Sequence, residues 1–194
     1  MNTSIVQFEG PFGLASRTPP LLFEQAVSAK CGIYLWAIPY RKGGYLVSYV
    51  GETGVSFWQR TKEHLIQTMG GNYRISDPEL LVEGEAKTVW NGLWRRDTRD
   101  RMLEYLERAE ELAPLARREL QLTVVFVAPL EVDARIRQRI EAGIALEIRK
   151  RKESALSLLP DDIRYRPRRE SEQGIRVEVR CPAHVHGLPT SVDV

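Results

Sequence analysis

The sequence predicts an α/β domain in which a small, mostly antiparallel sheet is flanked by helices. Two short runs rich in aromatic and β-branched residues, 31–38 and 45–51, are separated by turn residues and predict a hairpin. A continuous apolar run at 121–128 predicts a buried strand. Isoleucine and valine recur at every fourth position over 132–152, which is typical of a long helix with one buried face.

The length and composition favour a single folded unit. The chain has 194 residues, of which 43% are hydrophobic and 28% charged, so a disordered, collagen-like or coiled-coil protein is excluded. Its apolar runs are much shorter than the roughly 18 residues that a membrane span needs, and the first residues lack a signal-peptide pattern. Cys31 and Cys181 cannot form a disulfide framework. We therefore expect a soluble cytoplasmic protein with reduced thiols.

The N-terminal part is expected to lead into the hairpin without strands of its own. Glycines and prolines interrupt residues 1–30, and a short helical stretch is predicted at 22–29. A helix over 57–69 directly follows the hairpin, and Ser56 is placed to cap it.

The remainder alternates between irregular and regular segments. Residues 70–101 contain several glycines and are interpreted as an insertion with little regular structure. The composition of 100–120 favours a helix, with a possible bend at Pro114, and a strand is expected at 175–179. The predicted organisation is a lead-in at 1–30, a main domain at 31–160 with its insertion at 70–101, and an extension at 161–194 packed on that domain.

Two short motifs lie on the predicted hairpin. The residues GIY (32–34) open its first strand and YVG (49–51) close its second, so pairing of the strands brings two tyrosines to one region of the sheet. Arg60 and His64 follow on the next helix. Their spacing of four residues places them on one helix face, where they can clamp a phosphate group.

These motifs resemble the GIY-YIG nuclease superfamily, in particular its restriction-endonuclease-like members. The two tripeptides occur in the family's order, with valine in place of the second isoleucine, and an arginine and a histidine follow on the helix. The resemblance implies a GIY-YIG fold over the main domain. It also implies a DNA endonuclease that hydrolyses phosphodiester bonds with Mg²⁺ or Mn²⁺.

The resemblance further assigns a role to each motif residue. Tyr34 is implied as the general base or the phenol that positions water, with its pKa lowered by nearby positive charge, while Tyr49 and His64 position water and phosphate. Arg60 offers a planar, permanently charged donor to the charge that develops on phosphorus. A glutamate on the helix over 132–152 is implied as the metal ligand, since hard divalent ions prefer carboxylate oxygens.

Two glutamates on this helix are candidates for the metal ligand. Glu141 lies at the edge of the apolar stripe, within surroundings that resemble those of the family's glutamate. Glu147 lies inside the stripe, and its spacing also allows an ion pair with Arg151. We favour Glu141 and keep Glu147 as the alternative.

Basic residues are clustered although the net charge is only +2. Such runs are typical of contacts with the DNA backbone, although each could also be a solvated surface. Trp90 and Trp94 either contact DNA beside these residues or pack in the core. A homodimer is a further possibility, because one catalytic centre cuts one strand at a time. The expected DNA-binding residues are Arg95, Arg96, Arg149, Lys150, Arg151, Lys152, Arg166 and Arg168.

Two features leave other functions open. Many family members have an asparagine downstream of the glutamate, but every asparagine here lies upstream of it. The alternative function is therefore a non-catalytic DNA-binding module that retains the fold. Cys181, His184 and His186 could suggest a zinc site with Cys31, but their spacing matches no standard zinc arrangement, and a terminal strand or loop packed on the sheet is favoured.

Overall fold

The computed structural model describes residues 2–95, 98–153 and 166–194, in which helices and strands are interspersed along the chain. Two short 3-10 turns, Leu22–Glu24 and Ala26–Ala29, occupy the stretch expected to be helical. The strands are β1 (Asn2–Gln7), β2 (Glu9–Gly13), β3 (Gly32–Pro39), β4 (Tyr45–Thr53), β5 (Ile75–Ser76), β6 (Thr88–Trp90), β7 (Val124–Pro129), β8 (Ile175–Arg180), β9 (Val185–His186) and β10 (Ser191–Asp193). The helices are α1 (Phe57–Met69), α2 (Pro78–Val82), α3 (Arg99–Glu107), α4 (Ala109–Leu122) and α5 (Ala134–Arg151).

The α/β class is confirmed, but the expectation of one small, mostly antiparallel sheet is wrong. The described residues form mixed sheets: a five-stranded sheet in the order β2-β7-β3-β4-β9 and a three-stranded sheet in the order β1-β8-β10. β9 pairs parallel to β4, and β1 pairs parallel to β8. The physical reason is that the strands that pair in parallel, β1 with β8 and β9 with β4, lie more than a hundred residues apart along the chain, where no local pattern predicts their pairing.

The elements with strong local patterns are confirmed. The hairpin forms from β3 and β4, and β7 pairs with the other edge of β3. At the start of α1, the Ser56 side chain accepts from the backbone of Gln59, while the Gln59 side chain accepts from the backbone of Ser56. Asp133 caps α5 by accepting from the backbone N–H of Ile136 at 2.9 Å. Among the described helices, none has both the length and the apolar character that a bilayer span requires.

The insertion contains more regular structure than its sequence predicts. Strands β5 and β6 pair with each other, and α2 lies between them. The expected helix over 100–120 is divided at Arg108, while Pro114 lies within α4. Arg108 donates to the carboxylate of Glu111, with a nitrogen–oxygen distance of 2.8 Å, and contacts the carbonyl of Val89. The break therefore coincides with a contact to the insertion.

Side chains of β3 alternate between the two faces of the five-stranded sheet. Ile33 and Leu35 face the largest buried cluster, which includes Ile140 of α5. Tyr34 lies on the opposite face, in a cluster with Phe57 of α1. This alternation places the tyrosine of the first motif on the α1 side of the sheet.

Candidate functional site

The two predicted tyrosines meet on the α1 face of the sheet. Tyr34 on β3 is the register partner of Gly51 on β4, and the rings of Tyr34 and Tyr49 have centroids 6.0 Å apart. A Cβ atom at Gly51 would overlap the Tyr34 ring and lie 2.7 Å from a ring carbon of Tyr49. Glycine is therefore required at this position because both phenols pack over its backbone.

Helix α1 brings Arg60 and His64 to the Tyr34 hydroxyl. The two side chains lie about one turn apart on the helix face that packs against the sheet. The distance from the Tyr34 hydroxyl to Nε2 of His64 is 2.9 Å, and Nε of Arg60 donates to the same hydroxyl at 3.4 Å. The structure thus joins three of the predicted site residues in one hydrogen-bond network.

Burial determines the ionisation of Tyr34. Its side chain is 3% exposed, and this burial raises the pKa of the phenol well above its ordinary value, an effect to which Tyr49 adds. The charge and hydrogen bond of Arg60 act in the opposite direction but do not compensate. The expectation that positive charge lowers the pKa of Tyr34 is therefore wrong for the protein alone, because loss of solvation outweighs the guanidinium.

His64 is neutral in this network. Burial lowers its pKa to about 3, and the nearby charge of Arg60 contributes in the same direction. A neutral imidazole has one donor and one acceptor nitrogen. The Tyr34 hydroxyl and Nε2 of His64 share one hydrogen bond, and which of them donates depends on the ring nitrogen that carries the imidazole proton.

Arg60 remains charged and reaches the surface. Burial acts to lower the pKa of its guanidinium, but contacts with Tyr34 and Glu63 outweigh that effect and raise the pKa. Nη1 donates to the Glu63 carboxylate at 2.9 Å, and 35% of the arginine side chain is exposed. The guanidinium therefore connects the buried phenol to the solvent-accessible side of the site.

The two candidate glutamates on α5 have different environments. Burial raises the pKa of Tyr49, and the negative charge of Glu141 is the next largest cause, so this carboxylate lies within electrostatic reach of the phenol. Glu147 instead forms an ion pair with Lys150, one turn along its own helix, at 2.5 Å. Of the two, Glu141 is the carboxylate that acts electrostatically on Tyr49.

Arg137 anchors α5 beside the end of β4, one turn before Glu141. Its side chain is 9% exposed, and its Nε donates to the Glu52 carboxylate at 2.6 Å. A Cβ atom at Gly54 would lie 2.8 Å from the same guanidinium. The buried ion pair holds the helix against the strand that carries Tyr49 and so fixes the position of Glu141.

The donor set fits a weakly held divalent ion rather than a preformed metal cage. Within the described ranges, no group of three or more histidine, cysteine, aspartate or glutamate side chains is arranged to hold a metal. Mg²⁺ is commonly bound by one or two carboxylates, with waters and substrate phosphate oxygens completing its shell. Half-buried Glu141 fits that pattern as a single protein ligand.

A cleft of about 470 Å³ opens beside the network. Tyr49, Arg60 and His64 lie in its wall, whereas Tyr34 lies behind them. A second cleft of about 500 Å³ shares Arg60 with the first. The other residues common to both clefts are Tyr73 and Trp94.

The cleft also contains a carboxylate that sequence analysis missed. Glu119 of α4 accepts from the backbone N–H of Ser76 at 3.0 Å. Burial raises its pKa to about 7, although Ser76 and the charge of Arg74 oppose the shift. A sequence signal for this residue exists, because Glu119 follows Ala116 by three positions and Leu112 by seven, which places it beside the buried face of an amphipathic helix.

The two tryptophans of the insertion have different environments. Trp90 is 1% exposed and donates its Nε1–H to the carbonyl of Gly71 at 2.7 Å, so packing in the core is confirmed for this residue. Trp94 is 58% exposed and lies in the walls of both clefts. The guanidinium of Arg95 lies 5.6 Å from the centroid of the Trp94 ring.

The predicted DNA-binding residues do not all surround this cleft. Arg95 lines it, whereas Arg96 lies outside the described residues. The basic run 149–152 is exposed at the C-terminal end of α5, about 12 Å along the helix axis from Glu141. Arg166 and Arg168 line a separate cavity of about 390 Å³.

The cysteine- and histidine-containing tail packs as a strand, as favoured from its sequence. Val185 and His186 form β9 and pair with the first residues of β4. Nε2 of His186 lies 2.8 Å from the carbonyl oxygen of Gly43, in the hairpin turn. Cys31 and Cys181 are both free thiols. The segment 185–186 therefore extends the edge of the five-stranded sheet.

Comparison with protein-family models gives no match, and comparison with curated proteins and with solved structures gives none either. The functional interpretation consequently depends on the site geometry described above and on the short motifs that place its residues.

Proposed function

We propose that the protein is a metal-dependent DNA endonuclease that hydrolyses phosphodiester bonds, as the motif resemblance implies. The observation that carries the proposal is the hydrogen-bond network of Tyr34, His64 and Arg60 at the wall of an open cleft. The charge of Glu141 acts on the adjoining Tyr49, which adds a carboxylate to this set. Together these groups supply the functions that phosphodiester hydrolysis requires.

Arg60 binds the phosphate in this proposal. Its guanidinium is charged, partly exposed and held by Tyr34 and Glu63, so it is already oriented before the substrate arrives. A planar cation with several N–H donors stabilises the charge that develops on the phosphoryl oxygens. Orientation before binding lowers the reorganisation that the transition state requires.

Tyr34, Tyr49 and His64 hold the attacking water. The proton of the water passes to the Tyr34 oxygen while the Tyr34 proton passes to Nε2 of His64, so that no free phenolate accumulates. The water oxygen then bonds to phosphorus, the bond from phosphorus to the leaving oxygen breaks, and the leaving oxygen takes a proton from solvent water. A bound phosphate offsets the positive charge of Arg60, which is the smaller of the two causes that lower the pKa of His64; burial is the larger.

Glu141 is the proposed ligand of Mg²⁺ or Mn²⁺. When bound there, the ion would polarise the scissile phosphate and stabilise the leaving oxygen. Helix α5 packs on the face of the sheet opposite Tyr34, and the ion pair of Arg137 with Glu52 holds it beside β4, from where the charge of Glu141 acts on Tyr49. Arg95 and the other basic residues are proposed to contact the DNA backbone, and double-strand cleavage would require a dimer or two successive nicks.

A non-catalytic DNA-binding module is the second candidate. It is favoured by one observation, the burial that raises the pKa of Tyr34 and opposes formation of a phenolate. Incubation of the protein with supercoiled plasmid, with Mg²⁺ or with EDTA, separates the two functions. Nicking that requires Mg²⁺ is the result expected of the endonuclease. Retained DNA binding without nicking under any metal condition would contradict the endonuclease and support the module.

A further inference from the structure

The cleft beside Arg60 has the walls of a site for a flat aromatic group. Trp36 of β3, Tyr73 and Trp94 all line it, and the ring centroids of Tyr73 and His64 are 5.4 Å apart. More than half of the Trp94 side chain is exposed although it lies on this wall. Every nucleobase has a π-face, and aromatic side chains are the surfaces on which proteins stack unpaired bases.

Trp36 adds an unsatisfied polar group to the same wall. Its Nε1–H is buried and has no hydrogen-bond partner within the described part of the chain. Buried donors are almost always paired in native proteins, so an unpaired donor beside a cleft indicates a place where a ligand or a water supplies the acceptor. Nucleobase edges carry such acceptors.

Glu119 gives this part of the cleft a hydrogen-bond acceptor for a base. Its carboxylate accepts from the backbone of Ser76 and lies within reach of the charge of Arg74. Because its pKa is about 7, this group is partly protonated near neutral pH, and in either form it accepts hydrogen bonds from the exocyclic amino groups of bases. Arg60, Arg74 and Arg95 line the same cleft with positive charge that suits phosphate. Glu119 adds an acceptor that suits a base.

We propose that this cleft binds one unstacked nucleobase of single-stranded DNA, next to the phosphate held by Arg60. The inference rests on the proposed function and adds its substrate class. The volume of about 470 Å³ lies within the range of small-molecule sites. A base that remains paired in a duplex has both faces stacked on its neighbours, so it cannot also stack on the walls of this cleft.

The test measures how much of the affinity comes from the bases. A fluorescein-labelled single strand of about eight cytosines is compared by anisotropy with an abasic strand of equal length, so that the number of phosphates is constant. The measurements are made in EDTA, which prevents cleavage. We expect the cytosine strand to bind about tenfold more tightly, because stacking on aromatic side chains is lost with the abasic strand.

Two variants and a matched control locate the contact. Trp94→Ala should reduce the preference for the cytosine strand about fivefold, because one stacking surface is removed. Glu119→Gln should reduce the discrimination between cytosine and thymine strands. The glutamine amide can donate to a carbonyl oxygen of thymine as well as accept from the amino group of cytosine. Trp58→Ala removes a tryptophan of α1 that is exposed outside the cleft. It should leave unchanged the affinity ratio of cytosine to abasic strands and that of cytosine to thymine strands.

The outcomes separate this inference from the proposed function. Equal affinity for cytosine and abasic strands, or equal effects of Trp94→Ala and Trp58→Ala, would overturn the nucleobase site. Plasmid nicking by the same preparation would then still support the endonuclease. A clear preference for the cytosine strand in a protein that nicks no DNA would retain the nucleobase site and overturn the endonuclease.

Discussion

The Tyr34 hydroxyl lies 2.9 Å from Nε2 of His64, so a hydrogen bond between two buried side chains joins β3 to α1. The burial that encloses this pair raises the pKa of the phenol and lowers that of the imidazole. Both shifts favour the neutral forms. Transfer of the Tyr34 proton to His64 is therefore unfavourable unless the Tyr34 oxygen receives a proton from water at the same time, as the proposed mechanism requires.

Tyr34→Phe should reduce the rate of DNA cleavage by about 10² to 10⁴-fold with little change in DNA affinity. The variant loses only the hydroxyl, while the ring still packs over Gly51. Initial rates of plasmid nicking and binding in EDTA measure the two effects separately. Tyr45→Phe is the matched control, because Tyr45 is a β4 tyrosine that packs on Phe126 instead. Near-normal nicking by Tyr34→Phe would mean that the proton acceptor is elsewhere.

The free energy of unfolding should depend on pH through two buried groups with opposite signs. The pKa of His64 is about 3 in the folded protein, below its ordinary value of 6.5, so between these values the unfolded chain binds more protons and stability increases with pH. The pKa of Glu119 is raised from 4.5 to about 7, so in that interval the folded protein binds more protons and stability decreases as pH increases. From pH 4.5 to 6.5 the two contributions largely cancel.

Single variants should reveal each contribution. In Glu119→Gln the free energy of unfolding should increase more steeply with pH over that interval, by up to about 1.4 kcal/mol per pH unit relative to the unmodified protein. In His64→Gln the slope should change in the opposite direction. Urea denaturation at several pH values measures both, and the comparison removes contributions from groups that all the proteins share. Parallel stability curves would contradict the assigned environments.

Trp90→Ala should destabilise the fold by about 3 to 5 kcal/mol, because it removes a fully buried indole and its hydrogen bond to Gly71. Trp94→Ala should change stability by no more than about 0.5 kcal/mol, since that side chain is mostly exposed. Denaturation midpoints of the two variants provide the comparison. Similar midpoints would show that the insertion does not use Trp90 as its core.

The fold was predictable where local patterns decide the structure. The hairpin, α1, β7 and α5 follow from strand propensity, capping and helical periodicity within short segments. The pairing of β1 with β8 could not be predicted in this way, because partners so distant in sequence leave no mark in a local pattern. The break at Arg108 was also missed; it lies where Arg108 contacts Glu111 and Val89 rather than at Pro114.

In the candidate site, too, the features set by local patterns were predicted and those set by distant packing were missed. Tyr34, Arg60 and His64 were predicted to meet because a hairpin and the next helix are close in both sequence and space, and the structure brings them together. Glu119 was missed because it belongs to the cleft only after α4 packs beside the sheet. The direction of the Tyr34 pKa shift was wrong because burial cannot be derived from residue types alone.

Replacing Arg95 and Arg96 together by alanine should weaken DNA binding and reduce the slope of log affinity against log salt by up to about two phosphate contacts. Arg95 lines the cleft beside Trp94, which places its charge near bound DNA. The maximal rate at saturating DNA should be unchanged, because the proposal gives neither residue a role in proton transfer or in metal binding. Binding titrations over a series of salt concentrations test this. An unchanged slope would assign the backbone contacts to 149–152 or to Arg166 and Arg168.

The most direct test of a metal-dependent endonuclease is the Mg²⁺-dependent rate of plasmid nicking by Glu141→Ala compared with Glu147→Ala. Both glutamates lie on α5, but Glu141 acts on Tyr49, whereas Glu147 pairs with Lys150. Circular dichroism spectra of both variants check that they are folded. We expect Glu141→Ala to abolish detectable nicking and Glu147→Ala to retain the rate of the unmodified protein. Loss of nicking in Glu147→Ala with normal nicking in Glu141→Ala would contradict the assigned metal ligand, and nicking that persists in both variants would contradict a metal centre on α5.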